Sequence, residues 1–113
     1  MDKEISRIFL RFVVLKIIRE QPIHGYDIIK KMAERSEGRW TPSAGSIYPI
    51  LEQYEKSGCI RSEVADRKKV YSITPQGERA LERMTEKKIK LIEEMTQVVR
   101  EATGETGENE LGR

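Results

Sequence analysis

In the stretch TPSAGSIYPILEQYEKSGCI, residues 41–60, two hydroxyls, a glycine and a phenol fall within six residues of one another: Ser43, Gly45, Ser46 and Tyr48. No strong base or carboxylate stands among them to activate a nucleophile, so catalysis is not what they are suited to. They can instead donate hydrogen bonds to oxygen. If a helix starts at Ser43, the amides of Ala44 and Gly45 join those donors, and a glycine lets a ligand approach the backbone closely. Phosphates and base edges are the acceptors such a cluster fits. Further on, Arg67, Lys68 and Lys69 place three cations side by side next to Asp66, the charge that a phosphate backbone requires. One His and one Cys are too few for a zinc quartet or a disulfide framework. Cys59 is therefore expected as a small buried hydrophobe and His24 as a loop residue between helices. No metal, cofactor or enzymatic role is expected.

These residues need elements to position them. With 113 residues and a mass of 13.1 kDa, the chain is expected to make one modest core, to which a second subunit can add burial. The first helix is expected over about residues 4–19. It carries two apolar stripes: Ile5, Ile8, Phe9, Phe12 and Leu15, and then Leu10, Val13, Val14, Ile17 and Ile18. A surface helix needs only one stripe, so the second implies a further partner. After the punctuation of QPIHG, a second helix over about residues 26–34 would turn Tyr26, Ile29 and Met32 or Ala33 inward. A third runs from Ser43, placed as its N-cap, to Lys56 and stops at Ser57-Gly58. The period then falls from 3.6 to 2. Strands at residues 60–64 and 70–74 form a hairpin with Asp66, Arg67, Lys68 and Lys69 at its tip. Thr74-Pro75 opens a last helix, threonine as cap and proline at the first helical position. It should reach about residue 102, some 40 Å at about 1.5 Å per residue. Leu81, Met84, Leu91, Met95 and Val98 recur along it at threes and fours, and Ile89, Ile92 and Val99 widen the seam. So long a helix exceeds what a three-helix core can cover, and it reads as an intersubunit helix.

Pro49 breaks a local rule. It sits inside the third helix, removing the bond to the Gly45 carbonyl at a cost of up to roughly 3 kcal/mol. The expected gain is a bend that tilts SAGS toward a ligand.

The formal charge is +2, of which the segment 103–113 contributes −2, leaving +4 on residues 1–102. That segment is expected to be a disordered tail. The apolar run IFLRFVVLKII is interrupted by Arg11 and Lys16 and is too short to span a bilayer, so no membrane partner and a cytoplasmic location are expected.

The order helix, helix, helix, basic hairpin is that of a winged helix-turn-helix. HGYDIIKKM, WTPSAGSIYPILEQYEKSGCI and RKKVYSITPQGERAL resemble the successive signatures of the PadR family of transcriptional regulators over about residues 5–84. Pro42, Ser43, Gly45, Ser46, Ile47, Tyr48, Pro49 and Leu51 carry the most specific block. The single long C-terminal helix is similar to that of the family's small subtype. The resemblance implies a mainly α fold with a small β-hairpin: a winged helix-turn-helix over residues 1–74 and a dimerisation helix over 75–102. It implies a two-fold homodimer that represses transcription from an inverted-repeat operator in double-stranded DNA. Tyr26 resembles a phosphate-contacting position of the family, joining Ser43, Ala44, Gly45, Ser46, Tyr48, Pro49, Arg67, Lys68 and Lys69. The dimer would be held by Ile5, Phe9, Phe12, Leu81, Met84, Leu91, Ile92, Met95, Val98 and Val99. Some family members build a drug-binding pore with an aromatic on the last helix. Residues 75–102 contain no Phe, Tyr or Trp, which leaves a small apolar effector, in a cavity lined by Phe9, Phe12 and methionines, as the ligand class open to this chain. The other reading of the same elements is a winged-helix module that binds protein rather than DNA.

Overall fold

A computed structural model describes residues 3–104, with side chains from residue 7 onward. The side chain of Ile5, expected at the dimer contact, and the tail from residue 105 lie outside what is described. The chain forms two compact units, Met1–Leu81 and Glu82–Arg113.

In the first unit the order is α1 (Lys3–Glu20), β1 (Ile23–His24), α2 (Gly25–Arg35), α3 (Ala44–Lys56), β2 (Ile60–Ala65), β3 (Lys68–Ile73) and the start of α4 (Pro75–Thr103). Helix α1 buries Leu10, Val14, Leu15, Ile17 and Ile18. The core is completed by Ile23 of β1, by Ile28 and Met32 of α2, by Ile47, Ile50, Leu51 and Tyr54 of α3, and by Cys59, Ile60, Tyr71 and Leu81. Cys59 is thus the buried residue expected. The other stripe of α1 ends outside: Ile8 and Phe9 are exposed, while Leu15, assigned to that stripe by spacing, is buried in the core.

Helix α3 closes as expected. Gly58 takes φ +81°, its amide donates to the Glu55 carbonyl at 3.1 Å, and the Cys59 amide donates to the Tyr54 carbonyl at 2.9 Å. This is a Schellman closure. The Thr74 hydroxyl accepts from the Gly77 amide at 3.0 Å, capping α4 directly in front of Pro75. Across the core, the Tyr54 hydroxyl donates to the Arg11 carbonyl at 2.7 Å, and burial pushes that phenol up to about 12. At the far end of α1, Glu20 gathers Arg35, Lys31 and Lys16. The bond from Arg35, with the nearby positive charges, holds its carboxyl below the usual range.

Four expectations change. The sheet has three strands in the order β1-β3-β2, because Ile23 and His24 pair antiparallel with Tyr71 and Val70. His24 therefore lies on a strand, its Nδ1 3.1 Å from the Lys69 carbonyl, rather than in a loop between helices. The hairpin turn is confined to Asp66 and Arg67, both left-handed at φ 51° and 67°, as a two-residue type I′ connection requires. Lys68 and Lys69 belong to β3, opposite Ala65 and Val64. Val64 is 73% exposed, because the hairpin extends past the core that Ile60 enters. In α2, Gly25, Ile28 and Met32 face inward, so the inward stripe is one residue out of step with the expected Tyr26-Ile29 spacing.

The second unit contains the rest of α4, which ends at Thr103, one residue beyond expectation. Ile89, Leu91, Ile92, Met95, Val98 and Val99 are each more than half exposed, and Met84 is half-buried. Leu81, placed on the same stripe by spacing, is buried in the first unit.

Candidate nucleic-acid interface

The first turn of α3 is open to solvent. Ser43 stands at its N-cap with extended backbone (φ −83°, ψ 160°), but its hydroxyl caps no amide. It pairs instead with the Ser46 hydroxyl at 3.1 Å. The Ser43 carbonyl accepts from the amides of Ser46 and Ile47 at 3.0 and 3.1 Å. The amides of Ala44 and Gly45 have no acceptor among the described residues, and they point out of a helix end that favours anions. The expected serine cap is replaced by something more useful to a ligand, namely two bare amides beside two exchangeable hydroxyls.

A buried stripe of Ile47, Ile50, Leu51 and Tyr54 fixes which face of α3 looks outward. Gly45, Ser46, Tyr48, Pro49, Glu52, Gln53 and Lys56 occupy the exposed side. Two clefts flank them. The larger, about 660 Å³, is lined on one wall by His24, Gly25, Tyr26 and Asp27, on another by Tyr48, Glu52 and Glu55, and on the third by Lys68, Lys69 and Tyr71. It thus brings Tyr26, Tyr48, Lys68 and Lys69 together. Tyr26 is 65% exposed, so the inward orientation expected for it is replaced by one open to a ligand. Tyr48 lies over the start of α2: a Cβ on Gly25 would stand 2.8 Å from its ring. Only glycine leaves room there for the phenol to settle at the mouth of the cleft. The two glutamates are engaged within the protein. Glu52 lies 3.7 Å from the Lys56 ammonium, and Glu55 accepts from the Ser62 hydroxyl at 2.6 Å. Burial, with the charge of Glu55 adding to it, raises the Tyr71 phenol above its ordinary range.

The second cleft, about 470 Å³, lies along the other flank of α3. Gly45, Ser46, Pro49 and Gln53 line it together with Arg7 and Arg11 of α1 and with Trp40 and Pro42. Spacing arguments missed Arg7, Arg11 and Gln53 as site residues, although Arg11 was visible as the charge interrupting an apolar run. Trp40 stacks on Phe9 with ring centroids 5.3 Å apart, and its amide donates to the Ser36 hydroxyl at 2.9 Å. The loop before α3 is thereby tied to both α1 and α2. Ser43, Ala44 and Arg67 lie outside both clefts, at the helix start and at the hairpin tip.

The cations of the hairpin differ from those around Glu20. Lys16, Lys31 and Arg35 converge on Glu20, whereas Arg67, Lys68 and Lys69 form no ion pair among the described residues.

Gly45 and Pro49 both weaken a helix that the fold would otherwise prefer intact. A Cβ at Gly45 would meet nothing nearer than the Ser43 hydroxyl at 3.8 Å, and Pro49 is exposed. Neither residue is thus required by packing. Gly45→Ala is expected to stabilise the fold by about 0.5–1 kcal/mol, and Pro49→Ala to melt no lower than the parent. Both should nevertheless bind DNA more weakly at fixed salt. A Pro49→Ala protein that melts several degrees lower would assign the proline to the fold, and unchanged DNA affinity in both variants would remove the functional account of the pair.

Three helices, a short sheet and a basic two-stranded wing beside an exposed helix N-terminus define a winged helix-turn-helix of the nucleic-acid-binding kind. The sequence profile of the transcriptional regulator PadR-like family matches residues 14–83, and the chain belongs to that family. It is similar to the transcriptional regulator YqjI of Escherichia coli (strain K12), 37% identical over 87 residues that cover 75% of this chain and 41% of the relative. The uncharacterized protein YqjI of Shigella flexneri matches to the same extent. The chain therefore spans about two-fifths of the length of these curated relatives. Among solved structures it is similar to a PadR family transcriptional regulator from Eggerthella lenta, with a TM-score of 0.73 and 25% identity over 85% of this chain and 82% of that one. A transcriptional regulator from Clostridium thermocellum shares the fold, with a TM-score of 0.72 at 20% identity over 89% of this chain and 96% of that one. Among the described residues, no helix is long and apolar enough to cross a membrane.

Proposed function

We propose that the protein is a sequence-specific DNA-binding repressor that acts as a two-fold homodimer on an inverted-repeat operator. The observation that carries the reading is the open first turn of α3. Two amides without acceptors among the described residues, the Ser43–Ser46 hydroxyl pair and Tyr48 form a donor surface, and Lys68 and Lys69 of the wing share a cleft with Tyr48. In this arrangement Ser46 and the backbone at Gly45 meet base edges in the major groove, while Tyr26, Arg67, Lys68 and Lys69 hold phosphates. Residues 1–74 supply the DNA-binding part and α4 the dimer contact. The exposed apolar side chains of α4 from Ile89 to Val99 support the second assignment, since soluble monomers rarely leave so continuous a stripe open.

Two-fold symmetry of the protein demands dyad symmetry of the site. Footprinting on genomic DNA is expected to show protected inverted repeats whose half-site centres lie about 10 to 10.5 base pairs apart, one turn of the duplex. Footprints without a dyad would refute the dimeric reading, and no footprint together with a salt-insensitive protein partner would favour the protein-binding alternative.

A further inference from the structure

On the flank of α3 away from the wing, Arg11 of α1 donates from its guanidinium to Oε1 of Gln53 at 2.5 Å. The guanidinium is held from beneath, lying 4.9 Å from the centroid of the Tyr54 ring, and the Tyr54 hydroxyl donates to the Arg11 backbone carbonyl at 2.7 Å. Arginine has donors and no acceptor. The Gln53 amide is therefore fixed in one orientation: its oxygen faces Arg11, and both N–H bonds of Nε2 are left without a partner among the described residues. Gln53 is exposed and lines the same cleft as Gly45, Ser46 and Pro49.

We infer that Gln53 reads guanine in the major groove and that Arg11 is the positioning residue that makes it choose guanine over adenine. The inference rests on the DNA-binding function proposed above. A free glutamine pairs with adenine, its oxygen accepting from N6 while its nitrogen donates to N7. That pairing needs the amide oxygen turned toward the base, and here the oxygen is held by Arg11. What faces the groove is a pair of donors. Guanine presents two acceptors there, O6 and N7, and no donor; cytosine presents the N4 donor and is rejected.

Operators are selected from a randomised duplex pool with the unaltered protein, and binding is measured with each of the four bases at every half-site position. The position that loses its preference in Gln53→Ala marks the contact. The unaltered protein should favour guanine there by roughly five- to tenfold. Arg11→Met keeps an apolar stem over Tyr54 but frees the amide oxygen, so the preference at that one position should move from guanine toward adenine. In the double variant, Arg11→Met with Gln53→Ala, the preference should be as flat as in Gln53→Ala alone. Gln53→Glu changes only an exposed side chain and turns the outward group into an acceptor, which should move the preference to cytosine. If Arg11→Met weakens binding to all four bases equally, or if Gln53→Ala leaves every preference intact, the inference is wrong although DNA binding stands. If the unaltered protein selects no sequence at all, the proposed function itself fails.

Discussion

Replacing Arg67, Lys68 and Lys69 together with alanine is expected to weaken operator and random DNA by the same factor, on the order of a hundredfold, if each lost contact costs about 1.0 kcal/mol. The signature is in the salt dependence. Each phosphate contact removed should flatten the slope of log K against log salt by about 0.9, so three should flatten it by about 2.7. The ratio of operator to random affinity should hardly move, because a phosphate carries no sequence. The structural ground is that these cations have no carboxylate partner among the described residues. Arg67 adds a control. Its φ of 67° is a left-handed conformation that an L side chain adopts at some cost, so Arg67→Gly should melt slightly higher while binding less tightly. A triple variant with the parental slope would show that the hairpin does not touch DNA.

The second large effect is expected at α4. Ile92 and Met95 are 62% and 58% exposed on the same apolar stripe. Ile92→Glu with Met95→Glu should leave the first unit folded, since neither residue belongs to its core. The variant should sediment near 13.1 kDa, against about twice that for the parent at micromolar concentration. Operator affinity should fall by roughly 10²–10⁴, the advantage that tethering gives the second half-site. Random DNA should suffer less. A parent that sediments as a clean monomer, or a variant that stays dimeric, would take α4 out of the interface.

Much of the fold was legible because it depends on local chemistry. Thr74-Pro75 announces α4, Gly58 ends α3, and the change from period 3.6 to period 2 after it marks the hairpin. What was not legible depends on partners distant in the chain. Strand β1 has only two residues, Ile23 and His24, and exists because β3 offers them an edge; in isolation QPIHG is punctuation. The phase of α2 was misread because its inward stripe begins at Gly25, a residue with no hydropathy to reveal it, while Tyr26 offered an apolar-looking alternative. The run of Lys68 and Lys69 resembles a turn by composition, yet the turn is set by the dihedral angles of Asp66 and Arg67. Of the interface, the residue types near Ser43 and at the hairpin were readable from sequence. The Arg11–Gln53 contact was not, because its partners are 42 positions apart.

The fit of Tyr48 over Gly25 constrains how this protein can drift. With the ring 2.8 Å from where a Cβ would sit, any side chain at position 25 must either expel the phenol from the mouth of the cleft or wait until position 48 has become smaller. The order of events then matters: a chain that first trades Tyr48 for a smaller residue opens position 25 to alanine or serine, whereas the reverse order passes through an ancestor with a displaced tyrosine. The two positions, one at the start of α2 and one on α3, are thus tied as a pair. A library that randomises both should recover bulky residues at one only where the other stays small.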